Sequence, residues 1–299
     1  MKCRNIGTES HSVLILSFQF FIHKNRMRTR KRWFTWGSQK PTPVCQCEDP
    51  NTKEPCKNEP LEGSLFCQEH QTCPGSPQSG SEPQFNPQKY NQDPTIYKVH
   101  NCYAYGMNVL DKESVRLCRK HGDCRRFFHQ PGALHGDRNA LNVNERRNCK
   151  MVEQLQNADN PSIQKSSFHA QCPLGTSKIA LVVDPGEDYH YYRQDADGMW
   201  SHKDGSNKVK RFDALKRPIF NPELASRDYE WQNSDLNYED FCGFYCVPRD
   251  QSVRLGRAGG VGGVLTRKVQ KSRKVQKVQK SRKGRKAQVS RKARKVQRS

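Results

Sequence analysis

Residues 178–203 read KIALVVDPGEDYHYYRQDADGMWSHK, and this stretch decides the architecture. Lys178–Asp184 is a short apolar run that stops at Pro185-Gly186, the pattern of a buried strand closed by a turn. Asp188–Gln194 and Met199–Lys203 then flank Asp195-Ala196-Asp197-Gly198, a hairpin signal. With Gly198 in the left-handed bulge position of a three-residue loop, Asp195 pairs with Met199 and Tyr192 stands opposite His202. His190 shares that face, diagonal to His202 and about 5.5–8 Å from it. An even-numbered loop would turn the two histidines to opposite faces. Phe241–Val247 reads as a closing strand of the core. Upstream, Asn101 is a good N-cap that places Cys102 in the first turn of a helix, although Gly106 weakens that helix. The expectation is an α+β main domain over residues 95–249.

A cysteine in the first turn of a helix meets exposed N–H groups and the positive end of the helix dipole, which favour the thiolate. Combined with histidines on a following hairpin, this is a nucleophile, base and orienting group in series. The arrangement resembles the NlpC-type papain-like cysteine hydrolases, in which a Cys-bearing helix packs on an antiparallel sheet. The resemblance implies a papain-like fold and cleavage of a peptide or amide substrate. It makes Cys102 the nucleophile, His190 the base and His202 the orienting residue. The family's usual Asp-Cys-Ser-Gly is here Asn101-Cys102-Tyr103-Ala104, and an insertion-like stretch from Leu117 to Cys172 separates the helix from the hairpin. A buried structural cysteine and packed histidines are the competing account.

A second cluster lies in the Cys-rich segment 41–73. Cys47, Cys56, Cys67 and His70 are spaced C-x8-C-x10-C-x2-H, with Cys45 competing for the first position. Three thiolates and an imidazole suit a closed, tetrahedral, structural zinc site, which would stabilise a segment with little core of its own. The stretch Pro55–His70 resembles a small Cys₃His module of large DNA virus proteins. That resemblance implies a viral protein, placed in the virion or the infected-cell cytoplasm. Thirteen cysteines is an odd number, so complete internal pairing is ruled out. Cysteines 118, 124, 149, 172, 242 and 246 stay open between disulfides and a second zinc site with His121, His129 or His135.

The remaining segments are set by composition. Residues 1–40 form a basic and apolar leader, expected to be poorly ordered. Its longest apolar run, Ser12–Ile22, falls well short of the roughly 20 residues a membrane span needs. Residues 74–94, rich in Pro, Gly, Ser and Gln, read as a linker. Residues 250–299 are a glycine hinge and a disordered basic tail. The chain carries a net charge of +22. Of its 52 Lys and Arg, 18 lie after Asp250, where there is no Asp or Glu at all, leaving residues 1–250 nearly neutral. A tail of this kind, from residue 254 to residue 299, binds nucleic acid or another polyanion without sequence preference. Two functions follow: a cysteine amidase or peptidase targeted by its tail, and a non-catalytic virion or nucleoprotein component.

Overall fold

The computed structural model describes residues 39–49, 52–136, 147–232, 234–250 and 252–258. The leader as far as residue 38 and the tail from residue 259 lie outside the described residues, and so do the expectations of disorder attached to them.

The run 178–203 forms the middle of a six-stranded, antiparallel sheet. Its strands are β1 (Gln164–Ser166), β2 (Thr176–Asp184), β3 (Asp188–Gln194), β4 (Trp200–Lys203), β5 (Val209–Lys210) and β6 (Asp240–Pro248). Their spatial order is β1-β6-β2-β3-β4-β5, so the last strand is inserted between the first two. The β3–β4 register is the expected one. Tyr192 pairs with His202, the Asp195 N–H donates to the Met199 carbonyl at 2.9 Å, and Gly198 takes φ 84° at the bulge. A side chain at Gly198 would be strained there, which is why the turn carries glycine.

Among the described residues five α-helices accompany the sheet: α1 (Gln88–Asn91), α2 (Pro94–Val99), α3 (Cys102–Gly106), α4 (Lys112–His121) and α5 (Cys149–Asp159). Side-chain caps begin four of them, with Asp93, Asn101, Asp111 and Asn148 each accepting a backbone N–H of the first turn. β2 is buried almost end to end because both faces of the sheet are covered. On one face Ile179, Leu181, Val183, Tyr189, Tyr191 and Tyr245 pack with Cys102, Tyr103 and Met107 of the α3 region and Val152 and Leu155 of α5. Gly106 suits this packing, since a methyl group there would stand 3.2 Å from the Cβ of Tyr191. On the other face Ala180, Val182, Tyr192, Trp200 and Phe244 pack against Phe168, Ile219, Ala225 and Tyr238.

The segment expected to be a linker is a strap laid against the sheet. Ser76 is buried, its hydroxyl accepts from the Lys178 ammonium at 2.5 Å, and its carbonyl accepts from Gln194 at 2.8 Å. Ser79 donates to the Thr176 carbonyl at 2.5 Å, and the Ala196 N–H donates to the Pro83 carbonyl at 3.0 Å. These polar anchors hold a chain whose composition offers little apolar burial. The Cys-rich segment is docked as well. Gln46 is fully buried, donates to the Pro218 carbonyl at 3.0 Å and accepts from the Phe220 N–H at 2.8 Å, while the Phe66 and Phe220 rings meet edge to face.

The start of the expected hinge is also docked. Gly256 packs so closely on Ala133 that a Cβ would stand 2.3 Å from the Ala133 carbonyl carbon. Arg257 is paired with Asp111. The architecture is α+β with an antiparallel sheet. Among the described residues, no helix is long and apolar enough to cross a membrane.

Candidate functional site

Four ligand atoms converge in the Cys-rich segment, and they belong to Cys45, Cys56, Cys67 and His70, all within 4.8 Å of one another. Cys47 does not take part, because its sulfur is bonded to Cys73. The chain turns back after His70, with the Cys73 N–H donating to the His70 carbonyl at 3.2 Å, and this delivers Cys73 to Cys47. Cys45 then fills the first position. The Cys45 sulfur accepts from the Cys67 N–H at 3.3 Å, and the Cys67 sulfur accepts from the Asn58 amide at 3.9 Å. Cys67 precedes a single 3-10 turn, Gln68–His70, which brings His70 Nδ1 to 3.3 Å from the Cys67 sulfur.

The donor set fits a tetrahedral ion. Ligands at about 2.3 Å (sulfur) and about 2.0–2.1 Å (nitrogen) from zinc place two sulfurs about 3.8 Å apart and a sulfur and a nitrogen about 3.5 Å apart. The Cys56–Cys67 sulfur separation is 3.8 Å, and the two sulfur–nitrogen separations to His70 are 3.3 Å from Cys67 and 3.7 Å from Cys45. Burial pushes the Cys45 thiol up to about 11, whereas Cys67, despite the opposing effect of desolvation, is drawn down to about 7 by the Glu69 N–H and its cluster neighbours. A bound metal would hold all three cysteines as thiolates and displace the protons they carry.

The proposed nucleophile and base are not brought together. Asn101 caps α3 as expected, accepting from the Ala104 N–H at 3.2 Å. α3, however, packs on the face of β3 that carries Tyr189 and Tyr191, and Cys102 is 6% exposed within that core. Its thiol points at the Tyr189 carbonyl, 3.8 Å away. Burial holds the thiol far above its ordinary range. His190 alternates to the opposite face with Tyr192, whose ring it meets at 5.1 Å between centroids. Cys102 is therefore neither accessible nor next to an imidazole.

His190 and His202 do meet each other, Nε2 to Nδ1, at 2.8 Å. His202 Nε2 donates to the Phe212 carbonyl at 2.9 Å. Asp204, which is not among the residues the sequence motifs single out, joins them at 3.1 Å from His202 and 3.6 Å from His190, and its other oxygen accepts from Lys210 at 2.5 Å. The signal for it was its place in the Asp204-Gly205 turn that ends β4. Desolvation, reinforced by His202, lowers His190 to about 3, so its ring is neutral.

The six cysteines left open all pair: Cys118 with Cys124, Cys149 with Cys242 and Cys172 with Cys246. With Cys47–Cys73 this makes four disulfides among the described residues. Among the described residues the free thiols are Cys102 and the three of the candidate metal centre.

These features define a disulfide-bonded α+β domain with a candidate Cys₃His metal centre. No family model matches the chain, and no solved structure matches it. Insoluble matrix shell protein 1 of Ruditapes philippinarum is 32% identical to it over 164 residues, which span 54% of this chain and 88% of that protein. The chain belongs to the family of that matrix protein.

Proposed function

We propose that this chain is a non-catalytic component of an insoluble extracellular matrix, with the disulfide-bonded domain as its folded unit and the basic C-terminal run as its contact with acidic macromolecules. The observation that carries this reading is the similarity to a shell matrix protein across most of that protein's length. Four disulfides support it, because they suit an oxidising exterior. The burial of Cys102 away from both histidines argues for a scaffold over a hydrolase.

In this reading Cys45, Cys56, Cys67 and His70 hold a structural zinc ion. Four protein ligands close the coordination sphere, so the ion fixes the Cys-rich segment and performs no chemistry. The cationic tail attracts polyanions by counterion release, and acidic matrix polymers and nucleic acid both qualify.

The deciding experiment is fractionation of the tissue that makes the protein, with peptides of residues 39–258 followed by mass spectrometry. The expected result is recovery from the extracellular residue left after demineralisation and detergent extraction, with the four disulfides intact. Recovery in the soluble intracellular fraction, with those cysteines reduced, would overturn the reading.

A further inference from the structure

The two histidines and Asp204 form a second convergence of ligand atoms, on the opposite sheet face from Cys102 and separate from the Cys₃His cluster. They come from three consecutive pieces of chain: His190 from β3, His202 from β4 and Asp204 from the turn that follows. The three atoms, His190 Nε2, His202 Nδ1 and Asp204 Oδ1, are separated by 2.8, 3.1 and 3.6 Å. Ligands at about 2.0–2.2 Å from one tetrahedral ion stand about 3.3–3.6 Å apart, so shifts of a few tenths of an ångström complete the site.

The hydrogen bonds around the cluster decide what faces inward. A carbonyl oxygen only accepts, so His202 Nε2 carries the hydrogen that meets Phe212, and Nδ1 is the ring atom that His202 turns to the cluster. Asp204 presents lone pairs, with its second oxygen tied to Lys210. His190 Nε2 and Asp204 Oδ1 face the same point, 2.8 and 3.1 Å from His202 Nδ1. A cation at the centre would satisfy all three. The outer contacts are of the kind that orient metal ligands, namely a backbone carbonyl on the far nitrogen of a histidine and a charged donor on a carboxylate.

We propose that His190, His202 and Asp204 hold a divalent first-row cation, with Zn²⁺ the best match to two imidazoles and one carboxylate. Three protein ligands leave a tetrahedral ion one open position. Lys210 and Phe212, which brace Asp204 and His202, are also in the wall of a cavity of about 320 Å³.

The test measures Zn²⁺ stoichiometry calorimetrically on the full chain and follows Co²⁺ by absorption. Wild type is expected to take two ions. Cys56→Ser is expected to keep one, and Cys56→Ser with His202→Ala none. Asp204→Asn, a near-isosteric change at a partly exposed residue, is expected to weaken one of the two wild-type sites by at least about tenfold. Co²⁺ gives a readout that does not depend on Cys56→Ser folding, because one equivalent shows thiolate charge transfer and the other only ligand-field bands. A wild-type stoichiometry of one, all of it thiolate-bound and indifferent to Asp204→Asn, would overturn the proposal. So would two sites unaffected by His202→Ala in a folded protein.

Discussion

Cys149, the first residue of α5, is joined to Cys242 of β6, 93 positions further along the chain, with Cα atoms 5.1 Å apart. This cross-link fastens a helix of one sheet face to the strand it covers. Replacing both residues by serine is expected to lower the unfolding free energy by about 2–4 kcal/mol. The check is a denaturant titration of the variant against wild type, each with its other disulfides intact. A change of less than about 0.5 kcal/mol would show that the helix is held by packing alone.

His100 supplies a pH prediction. Its ring is fully buried, Nδ1 donates to the Ile96 carbonyl at 2.9 Å, and Nε2 accepts from the Asp111 N–H at 2.8 Å. A second ring proton would face that N–H. Burial lowers the group to about 4, with His129 and Lys203 adding to the shift and Asp111 opposing it. The unfolded chain, near 6.5, binds the proton first, so stability falls as the pH drops from about 6.5 to about 4 and then levels off. The contribution is roughly 3 kcal/mol. Urea midpoints for wild type and His100→Gln across that range are expected to converge at the acid end.

Gly256 has no room for a side chain against Ala133 and Leu134. Gly256→Ala is expected to cost about 1–3 kcal/mol, or to detach residues 252–258 from the domain. Hydrogen exchange at Ala258, whose N–H donates to the Phe128 carbonyl at 2.8 Å, distinguishes the two results. Protection equal to wild type with unchanged stability would contradict the packing.

Cys102 is expected to resist alkylation in the folded protein at neutral pH and to react fully once unfolded. Iodoacetamide labelling with peptide mapping checks this. Rapid labelling of the native chain, followed by loss of an amide-cleaving activity in Cys102→Ala, would restore the hydrolase reading.

The basic run after Asp250 is expected to govern polyanion binding. With about eight phosphate contacts on duplex DNA, log affinity falls against log salt with a slope of about −7. Poly-aspartate is expected to behave in the same direction. Deleting the residues after Ala258 removes the slope, and retention of affinity by the shortened chain would refute the electrostatic account.

Period-two alternation and the Asp197-Gly198 turn made the 178–203 hairpin legible, including the pairing of Tyr192 with His202. The Asn101 cap was legible for the same reason, since each is a local property. What local pattern does not carry is the choice of face. Alternation says that His190 and His202 share a side, but α3 settles on the side of Tyr189 and Tyr191, and this separates Cys102 from both rings. Likewise, spacing alone ranks Cys45 and Cys47 together, and the arrival of Cys73 is what divides their roles. Composition measures apolar burial, so it does not reveal the strap at 74–94. Ser76, Gln78 and Ser79 are instead fixed by hydrogen bonds to the sheet and the β3–β4 turn.

Because β6 lies between β1 and β2, a ribosome-bound chain that has not yet released residues 240–248 holds two unmated strand edges and the half-cystines Cys149 and Cys172 without their mates. Such a chain cannot finish its core during synthesis. The Cys149–Cys242 and Cys172–Cys246 bonds must wait until β6 has been delivered, and a chain truncated before β6 is expected to aggregate.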